Sequence, residues 1–223
     1  METLLNALKI SELFSSIPHD VLVDEILPNH QIQEYQKGQF LIEPQQKVDS
    51  IGIVLSGKVH IMHLFPQGNY SLMSVLTVGK ALSADLVCTR SRISPYHAVA
   101  ASPVRVAYFP ANLFCQVGLL TEQWRLAILN RLLTLISNEN MKKEYRLAIL
   151  SQKGLRERIV TYLTMQAARQ QKCTFPIPFS REELAAFLCV NRSALSHELS
   201  LMQNEGLISF RKNIFAVKNL PLY

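Results

Sequence analysis

The stretch "SREELAAFLCVNRSALSHELSLMQNEGLI", residues 180–208, decides how this chain is read. Ser180 followed three positions later by Glu183 is a capping box: the hydroxyl accepts from the third amide of a helix and the carboxylate reaches back to the cap amide. The pattern predicts a helix over 181–188, a turn at Cys189 and Val190, and a second helix over 192–204 closed by Gly206. On the second helix Leu195, Leu199 and Met202 share one face, while Arg192, Ser193, Ser196 and His197 point elsewhere. Upstream, "GLRERIVTYLTMQAARQ" predicts a further helix and "KCTFPIPFS" an extended, proline-bearing connector. Downstream, "GLISFRKNIFAVKN" predicts a two-stranded hairpin with Arg211 and Lys212 near its tip.

Together these segments read as a winged helix-turn-helix. In that motif the second helix enters the major groove of duplex DNA by its N-terminal residues, where Arg192, Ser193 and His197 stand. The charge distribution agrees. Residues 150–223 hold ten Lys/Arg against five Asp/Glu, and residues 1–149 hold thirteen against twelve, so the basic excess sits in the last third. A localised excess of this kind fits a polyanionic partner.

Composition excludes several classes. With 223 residues, 48% hydrophobic and 18% charged, the chain is long and apolar enough for two packed domains and is not a disordered chain. No apolar run reaches the roughly 18 residues of a membrane span, and METLLNALKISEL lacks a basic n-region and a cleavage site. A soluble, cytoplasmic protein with no membrane partner is expected. Cys88, Cys115, Cys173 and Cys189 are scattered, which predicts reduced, mostly buried thiols. There is no G-x-S-x-G, P-loop or H-E-x-x-H, and no close carboxylate pair beyond the helix-capping Glu182-Glu183. No catalytic residue and no enzyme activity are expected.

The first half has a different texture. Residues 3–27 look helical with a break at Pro18. From 30 to 109, short β-rich runs such as "DSIGIVLSGKVHIMHLF", "YHAVAAS" and "PVRVAYFP" alternate with turn signals, which predicts a small antiparallel barrel or jelly roll. His60 and His63 resemble a metal pair, but three residues apart on a strand they face opposite sides, so no metal site is expected. A long helix follows, "TEQWRLAILNRLLTLISNENMKKEYRLAIL", ending at Leu150. Trp124, Ile128, Leu132 and Leu135 form one apolar line on it. Leu126, Leu129, Leu133, Ile136 and Asn140, continued by Lys143, Leu147 and Leu150, form another at three- and four-residue steps. The second line has the spacing of a two-stranded coiled-coil seam, with Asn140 able to set register, and predicts a homodimer. The expected fold class is therefore α+β: a jelly-roll sensor domain over 1–119, a dimerisation helix over 120–150, and a winged helix-turn-helix over 151–223.

In these features the chain resembles the CRP/FNR family of bacterial transcription regulators. The 180–208 stretch is similar to that family's DNA-binding signature, and "GQFLIEPQQKVDSIGIVLSGKVHIM" to the start of its cyclic-nucleotide-binding-type barrel. The resemblance implies a homodimer on a palindromic operator, with a small-molecule effector; RNA polymerase stands as a candidate partner. It places Arg192 on the family arginine that reads a guanine edge. Ser193 falls where many members carry a base-reading glutamate, and His197 where many carry a second arginine. Ser180, Arg181, Asn191, Arg211 and Lys212 fall near phosphate-contacting positions. Cys189 replaces the usual turn glycine; left-handed backbone there would cost roughly 1–2 kcal/mol.

The sensor departs from the pattern. Members that bind cyclic AMP carry a Gly-Glu pair and then an Arg-Ser or Arg-Thr pair before the next strand. Here, in "VGKALSADLVCTRSRISPYHAVAAS", Gly79 precedes Lys80 and the segment ends Ser94-Pro95-Tyr96-His97, with Arg90-Ser91 displaced. The effector is thus expected to be something other than cyclic AMP. No iron–sulfur cluster is expected, since the first cysteine is Cys88. His97, Cys88 and Cys115 leave haem or redox sensing open, and constitutive DNA binding with a barrel that only contacts proteins is the other alternative. Met73, Leu82, Trp124 and Ile128 mark the expected effector pocket.

Overall fold

The computed structural model describes residues 2–218 and divides into two units. The first holds residues 1–63 and 74–141, the second residues 64–73 and 142–223. The packing units therefore cut the long helix near 141 and assign a piece of the β region to the C-terminal unit. Met1 and residues 219–223, the outer ends of the expected domains, lie outside the described residues.

The first unit opens with α1 (Glu2–Ile10) and α2 (His19–Val21), the latter running through a π turn and a 3-10 turn to Asn29. The first helix stops well before Pro18. Ser11 Oγ accepts from Phe14 N at 3.0 Å and donates to Leu8 O at 2.8 Å, a local alternative to helix continuation. Then follow β1 (Gln31–Tyr35), β2 (Phe40–Ile42), β3 (Ser50–Ser56), β4 (Val59–Leu64), β5 (Tyr70–Leu76), β6 (Ala81–Leu82), α3 (Ala84–Val87), β7 (His97–Ala100), β8 (Val104–Pro110) and α4 (Asn112–Cys115).

The strands form two four-stranded antiparallel sheets, ordered β1-β8-β3-β6 and β2-β7-β4-β5, as a jelly roll requires. Register in the first sheet runs from Ser50 opposite Pro110 to Val54 opposite Val106, with a bulge before Ser56. Gly57 turns the chain from β3 to β4 at φ +82°, and a Cβ there would lie 2.1 Å from the carbonyl oxygen of Pro103, so only glycine fits. The core includes Ile51, Ile53, Val106 and a tilted aromatic set of Phe14, Phe109 and Phe114.

Helix α5 spans Glu122–Leu150. Of its first apolar line, Ile128, Leu132 and Leu135 are buried, while Trp124 is half-buried. The second line is turned outward: Leu126 is 49% and Leu133 65% exposed, Asn140 is exposed, and Leu129 and Ile136 are half-buried.

The second unit holds the end of α5, then α6 (Leu155–Gln170), β9 (Thr174–Pro176), α7 (Arg181–Phe187), α8 (Arg192–Asn204), β10 (Ile208–Arg211) and β11 (Ile214–Val217). Here one expectation is corrected. The wing has three strands, ordered β10-β11-β9, because the "KCTFPIPFS" connector pairs Phe175 with Phe215 and Thr174 with Ala216. Pro176 is tolerated since this strand lies at the sheet edge. The core joins Tyr162, Phe179 and Phe187, with ring centroids 4.8–6.2 Å apart, to Leu195, Leu199 and Met202 of α8. A second correction concerns the cysteines: all four are free and exposed rather than buried.

Candidate nucleic-acid interface

The helix-turn-helix is built from its caps. Ser180 Oγ accepts from Glu183 N at 3.2 Å, and Ser180 N donates to Glu183 Oε2 at 2.6 Å, so α7 begins where the capping box says. Helix α7 ends at Phe187, and Cys189 takes φ +57° in the turn. The left-handed position inferred from the missing glycine is therefore present, with its cost of roughly 1–2 kcal/mol. Asn191 occupies the N-cap of α8 without a side-chain cap bond, which leaves its amide group to other partners.

Beyond that cap, Arg192, Ser193, Ala194 and His197 are exposed, while Leu195 and Leu199 are buried on the opposite side of α8. The structure thus brings the three expected base-reading residues onto one solvent face. The expected phosphate-contacting residues surround this helix less uniformly. Arg211 and Lys212 are exposed at the β10–β11 turn. That turn is fixed, since Asn213 Nδ2 donates to Ile177 O at 3.1 Å and Ile177 N to Asn213 O at 2.8 Å. Ser180 spends its amide on Glu183 and its oxygen lone pair on the cap, and keeps the hydroxyl proton as a donor. Arg181 lies with its guanidinium 4.7 Å from the Phe210 ring centroid and 5.5 Å from that of Phe215. Burial on these rings, then the neighbouring Arg192 charge, holds its pKa below the usual arginine range.

Sequence reasoning missed how the acids of this unit are disposed. Arg156 of α6 donates Nε to Glu198 Oε1 at 2.5 Å and its two terminal nitrogens to Glu205 at 2.8 Å each. The carboxylates of Glu198 on α8 and of Glu205 at its C-cap are thereby neutralised, and these bonds raise the Arg156 pKa. Glu183 is spent in the cap. The spacing of Glu198 and Glu205, seven apart on one helix line, was the available signal.

Two of the three cations in the sensor segment from Gly79 to His97 are engaged internally. Lys80 Nζ pairs with Glu12 at 2.5 Å and Arg92 with Asp49 at 3.0 Å, while Arg90 and Ser91 are exposed. Of the residues marking the expected effector pocket, Leu82 and Ile128 are fully buried, and Met73 and Trp124 are half-buried. Among the described residues, no three His, Cys, Asp or Glu side chains gather as a metal ion would require. No described helix is long and apolar enough to cross a membrane.

The comparisons with known proteins follow the same division. Residues 32–118 match the cyclic nucleotide-binding domain family, and residues 157–221 the Crp-like helix-turn-helix domain family. The chain is 24% identical over 187 residues to the transcriptional activator protein FnrL of Cereibacter sphaeroides, covering 79% of this chain and 72% of that one. In fold it is similar to a CooA variant from Carboxydothermus hydrogenoformans (TM-score 0.68, 19% identity, 91% of both chains). It is also similar to FixK2 from Bradyrhizobium japonicum (TM-score 0.63, 17% identity, 85% of this chain and 93% of that one). A sensor-type barrel, a long helix and a winged reading head in this order define a one-chain DNA-binding regulator. With a cyclic nucleotide-binding-type domain ahead of a Crp-like helix-turn-helix domain, the chain carries the two domains of a CRP/FNR-type transcription regulator.

Proposed function

We propose that the protein acts as a cytoplasmic homodimer that binds a palindromic operator and responds to a small effector other than cyclic AMP. The observation that carries the DNA-reading part is the exposed N-terminal face of α8, where Arg192, Ser193 and His197 stand clear while Glu198 and Glu205 are held by Arg156. Arg192 reads a guanine through its O6 and N7 acceptors, and Ser193 and His197 read neighbouring base edges. Asn191, Ser180, Arg181, Arg211 and Lys212 set the protein on the phosphates without choosing sequence.

Dimerisation is supported by the outward line of α5. Leu126, Leu129, Leu133 and Ile136 with Asn140 leave an apolar stripe that a second copy would cover in coiled-coil spacing. The rejection of cyclic AMP is supported by the sensor cations. A cyclic phosphate needs an arginine aimed at it, but Arg92 is engaged by Asp49 and Lys80 stands where a ribose-binding glutamate would be.

Selection of bound duplexes from random DNA tests the reading. The expected result is a two-fold symmetric sequence with half-site centres about one helical turn, roughly 34–36 Å, apart. Recovery of unrelated, asymmetric sequences would remove it. Cyclic AMP at 100 times a dissociation constant would add roughly 2.7 kcal/mol of stability, so a saturable thermal shift with that nucleotide would overturn the effector assignment.

A further inference from the structure

The inward line of α5 does not stay apolar. Continued from Ile128, Leu132 and Leu135 in steps of three and four, it reaches Glu139, Lys142 and Arg146, all half-buried. Arg146 is engaged within the second unit. Its Nη2 donates to Ser71 Oγ at 2.6 Å and to the Phe187 carbonyl oxygen at 3.3 Å, and its Nη1 lies 3.0 Å from Met73 Sδ. Cys189 Sγ is 3.7 Å away, and the Phe187 ring centroid lies 5.2 Å from the guanidinium carbon. None of these partners is a carboxylate, and Nε is buried without a hydrogen-bond partner. Burial pushes the pKa below the usual arginine range, with the Cys189 sulfur opposing. Such a site is costly for a cation, and it is held by five groups arranged around it.

Those groups come from segments far apart in sequence. Ser71 and Met73 lie on β5, where the chain returns from the hairpin turn at Phe65–Asn69. Phe187 and Cys189 form the end of α7 and the left-handed turn before the recognition helix. Ser71 Oγ also meets Cys189 Sγ at 3.4 Å. The hairpin thus belongs by strand pairing to the sensor sheet and by packing to the DNA-binding unit.

We propose that Arg146 is a positioning residue that clasps the β4–β5 hairpin to the helix-turn-helix turn and so fixes where α8 begins. A guanidinium suits the task because its planar fork bonds a hydroxyl, a carbonyl and a sulfur at once. A nearby arginine provides the control. Arg158 bonds Leu188 O at 3.3 Å and Gln152 O at 3.0 Å, supporting the end of α7 from α6. The consequence for DNA rests on the function proposed above, whereas the clasp itself does not.

Hydrogen exchange on the full-length protein, read by mass spectrometry beside operator affinity, tests the two parts separately. Arg146→Met, which keeps an apolar stem, should raise exchange about tenfold in 64–73 and in 185–191 together, as local opening follows loss of charge-assisted bonds. Arg158→Met should loosen 185–191 and leave 64–73 as in the parent. Ser71→Ala, a milder change should Arg146→Met fail to fold, should raise exchange in the same two segments by a smaller factor. Operator affinity should fall about tenfold in Arg146→Met while the preference at each base is retained, because the helix is misplaced and its reading side chains are intact. Unchanged exchange in 64–73 in both Arg146→Met and Ser71→Ala would overturn the clasp. Loosened segments with unchanged affinity would overturn its role in placing α8.

Discussion

In the sensor unit three cations are held across the fold. Lys80 is paired with Glu12, Arg92 with Asp49 and Arg105 with Glu34, at 2.5–3.0 Å, so positive charge there staples strands and loops of one fold. In the C-terminal unit it is the acids that are held. Arg156 takes Glu198 and Glu205, the α7 cap takes Glu183, and Arg192, Arg211 and Lys212 are left facing solvent. The same residue types serve opposite ends. A pair satisfied within the chain offers little to an anion outside it, whereas unpaired surface cations gain by releasing the counterions of a polyanion. The net charge of +1 in residues 1–149 and +5 in residues 150–223 follows the same contrast.

The largest test of this contrast concerns whether two reading heads act together. Leu133→Glu places a charge on the outward line of α5, against its symmetry mate in the proposed dimer. Sedimentation should show the dimer weakened by several kcal/mol, since an unpaired buried charge is costly. An unchanged dimer would put the contact elsewhere.

Arg192→Ala comes next. Removing the exposed cation of α8 should cost roughly 1–3 kcal/mol per half-site, concentrated at one base position across a set of single-base operator changes. An equal loss at every position would make Arg192 a phosphate anchor and blur the distinction between reading and positioning cations.

Ser180→Ala sharpens the side of the contrast in which acids are held. Without the hydroxyl the capping box opens, and thermal unfolding should report a loss of about 1 kcal/mol. Arg211→Ala has a subtler effect. Binding should weaken on all sequences alike, and the slope of log affinity against log salt should fall by about one unit.

The smallest effect belongs to the sensor. The hydrogen bond from Arg92, with the charge of Lys47 adding to it, holds the Asp49 carboxyl below the usual aspartate range. A pKa depressed on folding contributes stability that is complete above the unfolded value and is lost as pH falls through the folded one. Arg92→Met should therefore lower the melting temperature slightly at neutral pH, and the gap should close below about pH 4. A gap that persists in acid would mean that Arg92 acts through packing.

Much of this was legible in the chain. The capping box at Ser180 and Glu183, the turn at Cys189 and the buried face of Leu195, Leu199 and Met202 are local patterns, because a helix repeats every 3.6 residues and its caps need particular side chains. The alternation of short strands and turns likewise announced the barrel, and the two lines of α5 announced one buried and one outward face. Tertiary structure decided the rest. The third wing strand depends on Phe175 meeting Phe215, forty residues away, and no local period records that pairing. The full burial of Leu82 and Ile128 is a property of what surrounds them, which no local pattern records. Arg146 found Ser71 and Cys189, and Arg156 found Glu198 and Glu205, through contacts 42 to 75 positions apart. Side-chain identity and period determine an element and its faces, but only the folded chain determines which distant charge a face will meet.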